Sequence, residues 1–138
     1  MNSRVRSEGF MKILIADNNE ILAELIQFKL EESGLETTLV TDGKKALNKL
    51  NQFAFDLVIT DILLPFYSGL ELIYTINKRF SSNKPKIIVL TQIHNENTVR
   101  KAFELGINDY ITKPFDLDFL SIQINKLLKT VNSNKTST

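Results

Sequence analysis

Three features of the sequence predict an α/β fold, one parallel sheet covered on both faces by helices. Short apolar runs alternate with stretches of helical spacing from Ile13 to Val131. The first, third and fourth runs are nearly continuous aliphatic stretches, as strands buried on both faces should be. The length, 138 residues, suits one domain of ordinary size.

The first strand is read at Ile13 to Ala16, and on the helix after it Ile21, Leu25 and Phe28 share a face. A second strand, Thr38 to Thr41, leads into a helix marked by Ala46, Leu47 and Leu50. A third, Leu57 to Thr60, leads into one marked by Leu72, Ile73 and Ile76. The fourth strand, Ile87 to Leu90, precedes a helix with Val99, Ala102 and Phe103. The fifth, Tyr110 to Thr112, precedes one whose core stripe is Leu117, Leu120, Ile124, Leu127 and Val131. Ser68 with Glu71 three residues later spells a capping box. Asn95 and Asp116 stand at N-cap positions, and Gly34 and Gly106 follow helical stretches where a left-handed residue is usual. Right-handed crossovers then favour a single doubly wound domain with strand order 2-1-3-4-5, the flavodoxin-like arrangement, with five helices. Residues 1–10 read as a flexible leader, 11–131 as the domain, and 132–138 as a polar tail or the start of a linker.

Composition narrows the function. Hydrophobic residues at 43% and charged residues at 24% exclude wholesale disorder. No apolar run approaches the roughly 18 residues of a membrane helix, and the N-terminus lacks a secretory signal. The absence of cysteine excludes disulfides, thiol catalysis and Cys-based zinc sites. A net charge of +1 gives no electrostatic footprint for nucleic acid. The expectation is a cytoplasmic domain that binds neither nucleic acid nor membrane directly.

In the predicted order every strand's carboxyl end lies on one edge of the sheet, where ligands bind. Four strand ends carry polar residues: Asp17 and Asn18 after the first, Asp61 after the third, Thr91 after the fourth, and Lys113 after the fifth. The first and third strands are neighbours across the switch point, so Asp17 and Asp61 should converge. Two carboxylates held close repel, and a hard divalent cation such as Mg²⁺, bound through oxygen, offsets that repulsion. Lys113 adds a positive charge and Thr91 a hydroxyl donor, both suited to the oxygens of a phosphoryl group. A lone Asp at a strand end ordinarily caps a turn. Four such residues on one edge describe a phosphoryl-transfer site.

The stretches Ile13-Leu-Ile-Ala-Asp17, Asp56-Leu-Val-Ile-Thr-Asp61-Ile-Leu-Leu-Pro65, Ser68-Gly-Leu-Glu-Leu72 and Asp109-Tyr-Ile-Thr-Lys113-Pro-Phe115 resemble the receiver domain of two-component response regulators, over about residues 11 to 131. The resemblance implies that Asp61 is the phosphoacceptor, taking a phosphoryl group from a sensor histidine kinase or phosphotransfer protein in a Mg²⁺-dependent reaction. It implies a metal site of Asp17, Asn18, Asp61 and the backbone carbonyl of Leu63. It makes Thr91 and Tyr110 the switch pair and Lys113 the partner of the phosphoryl group, and it implies a cis bond before Pro114. The chain would then be a signalling phosphoacceptor with self-catalysed phosphotransfer and dephosphorylation rather than an enzyme acting on a separate substrate. Its partners would be the kinase or phosphotransfer protein and a downstream protein target or output domain.

One position departs from the pattern: the second acid after the first strand is Asn18. An amide oxygen still ligates Mg²⁺ but brings a dipole in place of a charge. Weaker metal binding and slower phosphorylation are expected, and Glu20 is a candidate for compensation through water. The alternative that Asn18 supports is a pseudo-receiver, a phosphorylation-independent interaction module. A nucleotide or flavin binder is disfavoured because no glycine-rich fingerprint or P-loop appears. An aspartate-nucleophile phosphatase is disfavoured because Leu63 stands where its second Asp belongs. The only histidine, His94, reads as a solvated loop residue. Phe66 and Tyr67, in the loop beside Asp61, read equally as partner contacts or as cover for the sheet edge. Phe119 and Ile122 project away from the core stripe of the fifth helix and mark a surface for a partner or a homodimer. In the resembling family that surface is the face of the fourth helix, fifth strand and fifth helix.

Overall fold

A computed structural model describes residues 9–80 and 82–136, with side chains described to residue 129. The leader's first eight residues, Ser81, the last two residues and the side chain of Val131 therefore lie outside the described residues. The chain alternates strand and helix throughout: β1 (Lys12–Ala16), α1 (Glu20–Glu32), β2 (Glu36–Val40), α2 (Gly43–Gln52), β3 (Leu57–Thr60), α3 (Gly69–Arg79), β4 (Lys86–Thr91), α4 (Glu96–Glu104), β5 (Asp109–Thr112) and α5 (Leu117–Thr136). The sheet is parallel with order β2-β1-β3-β4-β5, as the sequence predicts. β2 begins at Glu36, earlier than its apolar run, because Glu36 pairs in register with Lys12. The α5 backbone runs on to Thr136, into the segment read as a polar tail. No helix among the described residues is long and apolar enough to cross a membrane.

Strand alternation divides the core in two. Leu14, Ala16, Val58, Ile87 and Val89 face α2, α3 and α4, whereas Ile13, Ile15, Leu57, Ile59, Ile88, Leu90 and Ile111 face α1 and α5. Most of these side chains are fully buried, and each Val, Leu and Ile among them contributes roughly 1.5–3 kcal/mol. Capping follows the sequence. The capping box of Ser68 and Glu71 forms, Asn95 caps α4, and Asp116 accepts the Phe119 amide at 3.0 Å. Gly34 and Gly106 adopt φ of +83° and +100° after their helices. The Lys113–Pro114 bond is cis.

One helix is turned relative to expectation. On α1 the buried residues are Ala23, Ile26 and Leu30, while Ile21, Leu25 and Phe28 face outward and are 76%, 53% and 65% exposed. Both faces of α1 carry apolar residues, and the one containing the small Ala23 is the one that packs against the sheet.

Candidate functional site

The hydrogen-bonding ladder continues past the strand ends and fixes the backbone of the polar residues there. The amide of Asp17 donates to Val40 O at 3.1 Å, that of Asp61 to Ala16 O at 3.0 Å, and that of Lys113 to Thr91 O at 2.8 Å. Aliphatic runs bury the strands, so the residue that ends each run emerges at the sheet edge with its backbone already placed. Two of these side chains meet the ammonium of a third, and Thr91 joins through its hydroxyl.

Lys113 Nζ lies 2.8 Å from Asp17 Oδ2 and 2.8 Å from Asp61 Oδ2. Asp17 Oδ1 accepts the Asn19 amide at 2.8 Å. Asp61 Oδ1 accepts the Thr91 hydroxyl at 2.6 Å and the Leu63 amide at 3.1 Å. Asp17, Asp61 and Thr91 are all buried. Burial works against the Lys113 ammonium, but the hydrogen bonds and charges of the two carboxylates outweigh it, leaving its pKa above the ordinary lysine value. The Tyr110 hydroxyl donates to Ile93 O at 2.5 Å, and its ring packs half-buried on the α2–α3–α4 side of the sheet. Burial, and then the charge of Asp61, raise the phenol's pKa.

The Thr91 hydroxyl thus rests on a carboxylate oxygen that it shares with the Leu63 amide.

Asn18 is exposed beside Asp17. No group of three His, Cys, Asp or Glu suited to a metal ion gathers among the described residues, which follows from an amide standing where a third acid would be. The donors that remain are all oxygens: two carboxylates, the Asn18 amide and the Leu63 carbonyl. Such a set fits Mg²⁺, which keeps several waters and is commonly held by one or two carboxylates plus a phosphate.

The expected surface residues separate. Phe66 is 85% exposed, whereas Tyr67 is half-buried against the core with its hydroxyl bonded to Thr75. Phe119 and Ile122 are 48% and 55% exposed, with Phe103 of α4 also exposed. His94 is exposed in the loop after β4. Sequence reasoning did not assign Gly69 a part in the site: a Cβ there would lie 2.1 Å from Asp61 O, so only glycine lets α3 begin against Asp61. Its place directly after the capping serine was the available signal.

A parallel sheet of order β2-β1-β3-β4-β5 with two acids, a lysine and a hydroxyl gathered at one edge defines a doubly wound α/β domain with a charged site at its strand ends. Residues 13–125 match the response regulator receiver domain, and the chain belongs to that family. It is 34% identical over 115 residues to the transcriptional regulatory protein CrdR of Helicobacter pylori, covering 83% of this chain and 54% of that protein. It is 33% identical over 119 residues to response regulator RR06 of Streptococcus pneumoniae, covering 86% and 54%. The chain thus spans about half the length of the curated relatives it matches. The structure superposes on the receiver domain of the Francisella response regulator 1452 with a TM-score of 0.81 at 32% identity, covering 88% of this chain and 98% of that one. A two-component response regulator from Clostridium difficile gives a TM-score of 0.82 at 26% identity, covering 88% and 98%.

Proposed function

We propose that Asp61 accepts a phosphoryl group from the phosphohistidine of a sensor histidine kinase or phosphotransfer protein in the cytoplasm. The observation that carries this is the convergence of Lys113 Nζ and the Thr91 hydroxyl on the two oxygens of one buried carboxylate. An oxygen of Asp61 attacks phosphorus, the phosphorus–nitrogen bond breaks, and the imidazole leaves with its electron pair, taking up a proton. Lys113 and Thr91 hold the phosphoryl oxygens of the resulting acyl phosphate. Asp17, Asn18, Asp61 and the Leu63 carbonyl would hold Mg²⁺, which neutralises phosphoryl charge when bound. Hydrolysis of the acyl phosphate by water resets Asp61.

The switch follows from the resting contacts. The Thr91 hydroxyl moves its hydrogen bond from Oδ1 to a phosphoryl oxygen and carries the β4–α4 loop with it. Tyr110, bonded to Ile93 O in that loop, passes the shift to the face of α4, β5 and α5, where Phe103, Phe119 and Ile122 meet a target, an output domain or a second copy. Asn18 alone favours a phosphorylation-independent module.

The experiment is exposure to phosphoramidate with Mg²⁺, followed by intact mass. A gain of one phosphoryl group that Asp61→Asn abolishes supports the reading. No gain in the wild type refutes it.

A further inference from the structure

Among the described residues, Phe66 is the one non-glycine residue with a positive φ, +69°. It is the centre of a three-residue turn in which the Tyr67 amide donates to Pro65 O at 2.8 Å. That turn is rare and strained for a residue with a bulky side chain. The ring gains nothing from the fold in exchange, being the most exposed large apolar side chain described.

The surrounding loop is held firmly. Pro65 O also accepts the Gly43 amide at 3.1 Å, and a Cβ on Gly43 would lie 1.7 Å from Tyr67 O, so α2 abuts the loop backbone. Tyr67 is anchored to Thr75, and the Gly69 amide closes the loop onto Ile62 O at 2.9 Å. Tyr67 therefore points in and Phe66 is held out, on a short loop whose two ends both lie against Asp61. Leu63, on the same loop, is 59% exposed.

We infer that Phe66 is a docking residue for the protein that delivers the phosphoryl group, its ring covered by the surface around the donor's phosphohistidine. The inference rests on Asp61 being the acceptor. Phe66 stands three positions before Gly69, which packs on Asp61 O, so the Phe66 Cα lies within about 11 Å of the Gly69 Cα. A protein interface of ordinary size covers about 800 Å² on each partner, a disc of about 16 Å radius. A donor protein centred on Asp61 therefore covers Phe66. Aromatic residues are enriched in such interfaces, and a rigid loop limits the entropy lost on contact. A small phosphodonor enters the cup without touching the ring.

Phe66→Gly removes ring and strain together, and Phe66→Ala removes the ring alone. Each full-length variant is phosphorylated with phosphoramidate and with a panel of phosphorylated histidine-kinase cores, and labelling is read by intact mass over time. Phosphoramidate labelling stays within twofold of wild type, and the unfolding midpoint of Phe66→Gly is unchanged or raised. Transfer from whichever core labels the wild type falls tenfold or more in both variants. Undiminished transfer from that core, an equal loss with phosphoramidate, or a panel from which the wild type takes nothing overturns the inference. Failure of phosphoramidate to label Asp61 in the wild type is a separate result, which removes the acceptor reading itself.

Discussion

Lys113 Nζ is shared between Asp17 Oδ2 and Asp61 Oδ2, 2.8 Å from each, so a single ammonium draws the ends of β1, β3 and β5 together. Without it two buried carboxylates would face each other uncompensated.

Lys113→Met should accordingly cost about 3 kcal/mol at neutral pH in urea unfolding. Because the folded-state pKa is raised above 10.5, the folded chain holds the lysine proton more tightly than the unfolded chain does. That stability is complete below 10.5 and is lost as pH rises through the higher folded value. Tyr110, also raised above its usual 10.0, adds to the decline with the same sign. Denaturation from pH 8 to 12 should show stability falling above about 10, and falling less steeply in Lys113→Met. Parallel curves for variant and wild type would show that the ion pairs do not couple to folding.

Asn18→Asp places a full charge beside Asp17 in an exposed position. One added unit charge about 4 Å from a divalent ion is worth about 2 kcal/mol even in bulk water. Mg²⁺ affinity measured by calorimetric titration should rise at least about tenfold. Equal affinities would remove the charge argument.

Gly69→Ala forces a methyl group against Asp61 O, where the neighbour is backbone and cannot swing aside. A loss of about 2 kcal/mol or more is expected by urea denaturation. If Asp61 accepts the phosphoryl group as proposed, phosphoramidate labelling should slow with it, since the backbone carbonyl of Asp61 is displaced.

The two faces of α1 should respond differently. Ile26→Ala, at a fully buried position, should cost about 2–4 kcal/mol, while Leu25→Ala, more than half exposed, should cost under about 1 kcal/mol. Comparable losses would mean that the outward face is packed in solution.

The sheet order and the meeting of Asp17, Asp61, Thr91 and Lys113 were legible in the sequence because each aliphatic run ends on a polar residue and parallel crossovers leave few ways to order the strands. The burial of α1 was not. Its apolar residues occupy two offsets, and periodicity measures spacing without saying which stripe meets the sheet. Phe66 was equally hidden, since its left-handed turn is imposed by the Gly43 contact and the Ile62 closure rather than by any glycine or asparagine of its own. Tyr67 is its neighbour in sequence, and adjacency says nothing about which of the two rings the loop turns inward. The resting bond of Thr91 depends on side-chain geometry that no local pattern encodes.

The ammonium that completes the cup stands 96 residues after the first acid it binds and 52 after the second. During synthesis both acids leave the ribosome well before their cation, so a nascent chain ending anywhere before β5 carries both carboxylates without their counter-charge. The charge balance of the cup thus arrives with the last edge of the sheet.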